Sequence, residues 1–573
     1  MFTYFPPNSS INGYTLIISN ILWEVNRFMK KIRSVKKLVA FILICSMIVL
    51  AGCQAIGGVD LNAALKNSLK VTSTEGNSSM EFKLHLNEEA LLADEYFASD
   101  EELISLIRLI SNVKVSVTEI KMQDQKNMSF KGNLTLGDLS QINFDVKMSE
   151  TLLIISLDGA TRSFTFDLTG ETAERLMYDE YGITFDEDDE FASEYVIDDE
   201  KILATIQSAS ELVTNFGIEK LPNIERVSVT SVTEDINGES TQLMKVHGEL
   251  KGMELWNWGK KLTDALLADR VGLEKLMGEV LNLFLEDPAL NEYLDIYDPT
   301  DYKDGIVQEA DKKVFIDEAV SEIMTTFEEM KTSMAELETE EKEWLELYLN
   351  DSLEIKFDLY VDSKLDIRKQ AFSLNYSLND EIKEEIGTNI FEGFSLTSEN
   401  EAWNVNGVVK PNVPVASGLE VKIESLDYLE GFEIVNFFDE ESVVYDLLKN
   451  KLHITEQYYW NYIDEESYNG AFVNKDKFGM IPVRELIEEF GGTVKFDKAT
   501  NQVIVYDKAT KTTIKLQIGS DIAIINGETV QWPTPVITHN GSTYAPARAF
   551  ATALGAEIVW DSQYGEVDIT REP

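Results

Sequence analysis

The sequence contains few of the residues on which covalent cross-links and most metal centres depend. Cysteine occurs only twice, as Cys45 and Cys53, so no disulfide can cross-link the chain beyond its N-terminal segment. Histidine is almost as scarce, and the four histidines are His85, His247, His453 and His539. Their spacing matches neither H-E-x-x-H nor a mixed cysteine and histidine site. The sequence therefore predicts no zinc or copper centre.

The sequence also lacks the motifs that identify common catalytic and nucleotide sites. No nucleophile-elbow, Walker-type or dinucleotide-binding motif stands between a predicted strand and a predicted helix. Acidic pairs occur throughout the chain, so no particular pair indicates a glycosidase. The sequence predicts a non-catalytic protein without a cofactor. A hydrolase that uses carboxylates outside any recognised motif is an alternative hypothesis.

Basic residues are outnumbered, with 50 lysines and arginines against 101 aspartates and glutamates, for a net charge of −51. Such a charge repels nucleic acid and anionic headgroups, so neither is a predicted partner. Two acidic clusters, residues 186–190 and the series Asp295, Asp298, Asp301 and Asp304, have the oxygen ligands that calcium prefers. Neither matches the calcium loop of EF-hands, and we interpret both as solvated loops and predict no metal ligand.

The N-terminal segment has the pattern of an export signal. Residues 29–37 (MKKIRSVKK) are basic, and residues 38–50 are apolar but fewer than the roughly 20 that span a membrane. The run ends in Leu50, Ala51, Gly52 and Cys53, which resemble the lipobox of bacterial lipoproteins. The resemblance implies cleavage before Cys53, a lipid on that cysteine, and a mature protein anchored to the cell membrane outside the cytoplasm. The alternative is an uncleaved anchor with an incidental cysteine.

The region from residue 61 to residue 455 alternates between strand and helix patterns. Apolar residues recur with a period of two in the segments 80–86, 113–117, 128–136, 142–148, 164–168, 353–361, 372–378, 403–409 and 419–423. Helical spacings occupy residues 61–69, 101–110, 201–216, 255–284 and 316–337. These patterns predict an antiparallel sheet covered by long helices, either as one α+β unit or as two halves joined near residue 225.

Two alternatives remain open for this central region. The heptads of residues 316–337 suit either a coiled-coil partner or packing on the chain's own sheet. An antiparallel sheet over long helices, following a lipobox, resembles the lipoprotein carriers that hold acyl chains between sheet and helices. This resemblance implies an apolar cavity, which Met128, Met148, Met324, Met330 and Met334 would line unless they are ordinary core residues.

The C-terminal region contains an internal repeat. Residues 480–506 align without a gap with residues 544–570. The repeated residues are Pro482 and Pro546, Arg484 and Arg548, Gly491 and Gly555, and Asp497 and Asp561. Each copy predicts a strand, a short helix (484–490 or 548–554) that ends at a left-handed glycine, and a hairpin that turns at the aspartate.

This repeat, with the intervening IGSDIAIINGE, resembles the copper amine oxidase N-terminal-like domain, or stalk domain, which is common in surface proteins of Gram-positive bacteria. The resemblance implies a non-catalytic accessory module, because in amine oxidases the stalk lies apart from the copper chemistry. We expect the repeated arginines to be structural, although polymer binding is an alternative. The aromatic residues Tyr458, Tyr459, Trp460 and Tyr462 suit either sugar stacking or contacts between domains.

Together these observations predict an α+β protein with a large antiparallel sheet and long helices in its central region, followed by a small stalk-like α+β domain. The expected segments are 1–28 (residues upstream of the true start, which we place at Met29), 29–52 (signal peptide), 53–60 (lipidated tether), 61–455 (central acidic region), 456–470 (linker) and 471–573 (stalk-like domain). The predicted function is binding or structural support in the cell envelope, with the membrane and a wall polymer or envelope protein as partners. The alternative is a carrier of a lipid or another apolar ligand.

Overall fold

The structure is a computed structural model that describes residues 58–94, 97, 101–137, 141–169, 199–285, 309–464, 469–561 and 565–573. The predicted signal segment, Cys53 and both acidic clusters lie outside the described residues. Within them, contacts divide the chain into a larger unit, residues 58–157 and 164–420, and a smaller unit, residues 158–163 and 421–573. Both units combine helices and strands, which confirms the predicted α+β class.

The larger unit is built on one antiparallel sheet. Its strands are β1 (Thr74–Leu86), β2 (Asn112–Met122), β3 (Met128–Leu136), β4 (Ile142–Met148), β5 (Leu152–Leu157), β6 (Phe164–Asp167), β7 (Arg226–Ile236), β8 (Glu239–Lys251), β9 (Glu354–Val361), β10 (Ile367–Ser377) and β11 (Phe391–Trp403). The order is β6-β5-β4-β3-β2-β1-β11-β10-β9-β8-β7. Two meanders, β1–β6 and β7–β11, therefore join through the pairing of the distant strands β1 and β11.

Local turn chemistry sets the register of this sheet. Asn237 and Gly238, with φ angles of 51° and 81°, connect β7 to β8 in the two-residue loop that Asn-Gly favours. The strand predicted for residues 403–409 is wrong, because β11 ends at Trp403. Asn404 and Asn406 follow with φ angles of 51° and 54°, a left-handed conformation that ends the extended chain.

The helices of the larger unit are α1 (Leu61–Ser68), α2 (Glu88–Ala93), α3 (Glu101–Ser111), α4 (Asp199–Lys220), α5 (Met253–Leu267), α6 (Arg270–Leu285), α7 (Glu309–Glu340), α8 (Lys342–Tyr348) and α9 (Asp380–Ile386). The single helix predicted for residues 255–284 is two helices. Asp269 separates them, and its side chain accepts a hydrogen bond from Gly272 N at 2.9 Å at the start of α6.

The heptad residues of α7 are used within the larger unit. Helix α7 packs mainly against α5 and α6, whereas packing on the sheet was one of the two alternatives predicted. Val320 and Met334 on this side are buried. Helix–helix packing inside one chain therefore accounts for the heptad pattern.

The smaller unit contains both copies of the repeat. Its strands are β12 (Val421–Lys422), β13 (Gln457–Tyr462), β14 (Phe472–Val473), β15 (Gly479–Pro482), β16 (Thr493–Asp497), β17 (Gln502–Asp507), β18 (Thr512–Gln517), β19 (Ile522–Ile525), β20 (Glu528–Gln531), β21 (Ile537–His539), β22 (Ser542–Pro546), β23 (Glu557–Asp561) and β24 (Glu566–Arg571). Its helices are α10 (Gly431–Val435), α11 (Val443–Asp446), α12 (Val483–Glu489) and α13 (Ala547–Ala553). The strand predicted for residues 419–423 is limited to β12, which a 3₁₀ helix, Ile423–Tyr428, follows.

The two copies meet through their first strands. Strands β15 and β22 pair antiparallel, with Pro482 opposite Tyr544 and Met480 opposite Pro546. Helices α12 and α13 follow them and pack into one core, in which Phe490 and Phe550 are fully buried. Both helices begin one residue earlier than predicted, at Val483 and Ala547.

Two glycines in the larger sheet face phenylalanines across the strands. Gly132 is paired with Phe144, and Gly248 is paired with Phe357. In each pair the aromatic ring occupies the space that a Cβ atom on the glycine would need. Glycine is therefore required here for packing, because each ring lies over the neighbouring strand.

We expect Gly248→Ala to lower the free energy of unfolding by about 1–3 kcal/mol, since Phe357 is only 2% exposed and has no space in which to move. The measurement is urea denaturation followed by circular dichroism. The control is Gly217→Ala in α4, where no atom lies within 4 Å of the added methyl group. The control should be neutral or stabilising by up to about 1 kcal/mol. Equal losses in both variants would contradict the packing argument.

Candidate functional site

One side of the larger sheet carries apolar side chains along most of its length. We call this side the apolar face, and it includes Met80, Phe82, Leu84, Val113, Val115, Leu134, Phe144, Val146, Leu374, Phe394 and Leu396. Cross-strand partners lie on the same side of a sheet. Phe82, for example, faces Val113 on β2 and Leu396 on β11. The observed strand register therefore places these residues on one continuous surface, which includes Phe394 and Leu396 of β11, a strand that the sequence analysis did not predict.

The opposite side of the same sheet carries charged side chains on β8 and β9, beside a small hydrophobic cluster that includes Leu243 and Tyr360. Lys245 Nζ lies 3.0 Å from Asp358 Oδ2, and His247 Nδ1 lies 2.7 Å from Asp358 Oδ1. Lys251 Nζ pairs with Glu354 Oε1 at 2.7 Å on the neighbouring strands. These ion pairs hold charged side chains on the solvent side, so a slip of one residue in register would bury them.

Helices cover the apolar face at its β8–β9 end. Here Val246, Leu250, Ile355, Phe357 and Leu359 are all buried. Helix α5 contacts β8, and its own Leu255, Trp256 and Trp258 are buried as well.

Indole hydrogen bonds hold α5 within this helical layer. Trp256 Nε1 donates to Glu338 Oε1 on α7 at 2.9 Å, and Trp258 Nε1 donates to Pro222 O at 3.0 Å. This end of the sheet is an ordinary two-layer core.

The apolar face is open towards β1. Met80 is 51% exposed and Phe82 is 37% exposed, although both lie in the middle of the sheet order. Aromatic rings continue this surface onto β11 and β10, with centroid distances of 6.5 Å between Phe82 and Phe394 and 5.8 Å between Phe394 and Tyr376. Contiguous exposed apolar surface of this kind is typical of interaction sites and ligand-binding grooves in folded proteins.

The apolar face consists mainly of aliphatic and aromatic side chains. Ser78, Ser398 and Asn400 add polar groups on this side and are hydrogen-bonded to one another. The hydroxyl of Tyr376 donates to Tyr348 O at 3.0 Å. Burial raises the pKa of that hydroxyl. In the described ranges, no group of three or more His, Cys, Asp or Glu residues could hold a metal ion. The face therefore suits an apolar ligand.

The cavity expected between the sheet and the helices does not coincide with the pocket in the structure. A pocket of about 400 Å³ lies between α6 and α7, lined by residues such as Val271, Lys275, Lys312 and Ile316. The methionines do not gather around it: Met128 and Met148 are cross-strand partners on the apolar face, whereas Met334 is buried on α7. Within the described part of the chain, no helix has the length and hydropathy needed to cross a membrane.

The repeat residues lie at corresponding helix ends and hairpins. Arg484 is exposed and pairs with Glu488 Oε1 at 2.7 Å, whereas Arg548 has Thr552 at the equivalent position. Gly491 and Gly555 end the two helices with φ angles of 68° and 70°, the left-handed conformation expected of them.

The aspartates end β16 and β23, as the repeat predicts. Asp497 accepts hydrogen bonds from Thr500 Oγ1 at 2.7 Å and from Ala499 N at 2.9 Å, and these bonds lower the pKa of its carboxyl group. The carboxylate thus holds the turn of its own hairpin, as the side chain of aspartate commonly does.

Sequence reasoning missed a buried ion pair in the smaller unit. Arg571 and Asp507 are joined by two hydrogen bonds, of 2.5 Å from Nη1 and 2.8 Å from Nη2, and both side chains are at most 1% exposed. Arg571 also donates to Gln457 Oε1 at 2.8 Å and to Leu554 O at 2.9 Å, and its guanidinium lies 4.3 Å from the centre of the Phe490 ring. The alternation along β24 could have predicted its burial, because Arg571 continues the every-second-residue pattern of the buried Val567 and Ile569.

Comparison with known proteins assigns a family to one part of the chain. Residues 462–569 match the family described as the copper amine oxidase N-terminal domain. This match confirms the resemblance seen in the repeat, and the domain that it defines is the non-catalytic domain of that family. Searches of curated proteins and of solved structures found no match. The larger unit lies outside the matched residues.

We expect Asp507→Asn to lower the free energy of unfolding by about 3–5 kcal/mol at neutral pH, because it leaves Arg571 charged and buried without a counter-ion. Chemical denaturation, followed by the fluorescence of the smaller unit's tryptophans, measures this loss. Glu488→Gln, which breaks the exposed pair with Arg484, is the control and should cost less than about 1 kcal/mol.

The effect of Asp507→Asn should depend on pH. Burial alone would raise the pKa of Asp507, but hydrogen bonds from Arg571 and Thr510 outweigh it and hold the pKa below its ordinary value of 3.8. The carboxylate therefore stabilises the fold fully above pH 3.8, and this contribution is lost as the pH falls through the lowered pKa. The difference between wild type and variant should shrink over that acidic range. A difference that stays constant there would exclude the charge as its cause.

Proposed function

We propose that the protein is an exported, non-catalytic lipoprotein of the cell envelope that carries a lipid or another apolar ligand on the apolar face of its larger unit. The exposure of Met80 and Phe82 in the middle of that face is the observation that supports carriage most directly. Burial of each methylene of a ligand against such a surface contributes about 0.8 kcal/mol. A chain of ordinary acyl length would therefore bind well even with partial burial.

The N-terminal signal supports export and lipid anchoring. A basic segment, a short apolar run and the sequence Leu50-Ala51-Gly52-Cys53 stand in the order that lipoproteins require. Two acyl chains on Cys53 would give stable attachment, whereas the net charge of −51 would keep the body away from anionic headgroups. The carrier would then work at the outer face of the membrane.

The smaller unit supports an accessory role beside the carrier. Its family match is to a non-catalytic domain, and its buried ion pair and continuous core make it a rigid module. Attachment to a wall polymer or to an envelope protein is the role that we propose for it. The second candidate for the whole protein is structural support alone, without a carried ligand.

Replacement of Cys53 tests the anchor. In cells fed an alkyne-labelled fatty acid, the wild-type protein should be labelled and should remain with the membrane fraction. Cys53→Ala should be unlabelled and released, because no thiol remains to receive the lipid. Cys45→Ala is the matched control and should behave as the wild type. Equal labelling of wild type and Cys53→Ala would refute the lipobox assignment.

Phe82→Asp tests the apolar face. We expect the purified variant to retain less than about one tenth of the extractable lipid of the wild type, because a carboxylate in an apolar site opposes binding by more than about 1.4 kcal/mol. Mass spectrometry of organic extracts measures the lipid. Phe82 is already 37% exposed, so the fold should tolerate the change.

Thr397→Asp is the matched control for this test. Thr397 is exposed and pairs with Glu81, so it lies on the polar side of the same two strands. The control should retain its lipid. The absence of lipid from the wild type, or an equal loss in both variants, would leave structural support as the better account.

A further inference from the structure

The smaller unit carries a second exposed surface, on the sheet formed by β13, β24 and β23. Side chains of Tyr458, Trp460 and Tyr462 alternate along β13 and share one side of this sheet. Their cross-strand neighbours on that side are Thr570, Asp568 and Glu566 of β24. We call this side the aromatic–acidic face.

Two rings on this face form an open corner. The ring centres of Trp460 and Tyr462 lie 4.2 Å apart, with their planes at 69°. Trp460 is 38% exposed and Tyr462 is 58% exposed. The two rings are in edge-to-face contact, and the exposed face of an aromatic ring attracts cations.

Carboxylates border the corner. Asp568 lies across from Trp460, and Glu566 lies across from Tyr462, with Asp561 next in line on β23. Tyr458 donates its hydroxyl hydrogen to Asp568 Oδ1 at 2.5 Å, which fixes the position of that carboxylate. The residues that β13, β23 and β24 place on this side include no lysine or arginine.

From this combination we propose that the aromatic–acidic face binds a basic polypeptide segment through the ammonium group of a lysine side chain. The ammonium sits against the rings of Trp460 and Tyr462, and its charge is balanced by Glu566 and Asp568. An anionic polymer is repelled by the same carboxylates. A neutral glycan would use the rings but would gain little from this concentration of negative charge.

The choice of a lysine segment rests on charge complementarity across a small area. A cation over an aromatic ring is stabilised at exposed sites, and the neighbouring carboxylates add charge-assisted hydrogen bonds. The net charge of −51 attracts basic segments from a distance, but it acts over the whole surface. The rings of Trp460 and Tyr462 make the aromatic–acidic face selective for a cation at one position, which diffuse charge does not.

Binding of fluorescein-labelled octalysine to the purified protein at about 0.15 M salt, where diffuse charge is screened beyond roughly 8 Å, tests this proposal by anisotropy. We expect Trp460→Ala and Glu566→Gln each to weaken binding at least fivefold, and Trp460→Phe to restore most of it. Tyr428→Ala removes an exposed aromatic ring elsewhere in the unit, and Glu336→Gln removes an exposed carboxylate from α7. Both controls should bind as the wild type does.

Two outcomes would overturn the proposal. The first is octalysine binding that Trp460→Ala leaves unchanged, which would assign the binding to diffuse charge. The second is binding of a neutral oligosaccharide that depends on Trp460 and Tyr462 while octalysine binding does not. In that case the face would be a sugar-stacking surface.

Discussion

The alternation of side chains along β-strands is the constraint on which the larger unit depends. Because each strand places its apolar residues on one side, the sheet acquires a continuous apolar face that must be covered by protein or by another molecule. Helices cover the face where Ile355 and Leu359 are buried, and they leave it open around Met80 and Phe82. The same constraint that makes the fold thus creates the surface on which the proposed function relies.

The smaller unit contains a buried charged side chain, which needs hydrogen-bond partners inside the core. Arg571 is tolerated in the core because its guanidinium donates to Asp507, Gln457 and the carbonyl of Leu554. These partners come from β17, from β13 and from the end of α13, so one side chain connects separate parts of the unit. Removal of any partner would leave an unsatisfied polar group in an apolar environment.

Patterns in the sequence predicted the elements better than their ends or their neighbours. Period-two segments predicted β1 to β4, β6, β9 and β10 but missed β5, β7, β8 and β11. The aligned copies predicted α12 and α13 to within one residue, because the repeat is a local signal. The single helix predicted for residues 255–284 failed because the capping by Asp269 was overlooked. The partners of α7 and of Arg571 depend on contacts between residues distant in sequence, which local sequence patterns do not predict. The open region of the apolar face could not be foreseen either, since exposure depends on where the helices lie.

The join between the two meanders has a consequence for biogenesis. Strand β1 completes its pairing only with β11, as Phe82 does with Leu396, although several hundred residues separate them in the chain. A chain exported from its N-terminus, as we propose for this protein, would have the first meander in place long before its central partner arrives. Contacts of such high sequence separation fold slowly and leave strand edges unpaired in the interim. The proposed export should accordingly depend on factors that keep the early strands from associating with one another across chains.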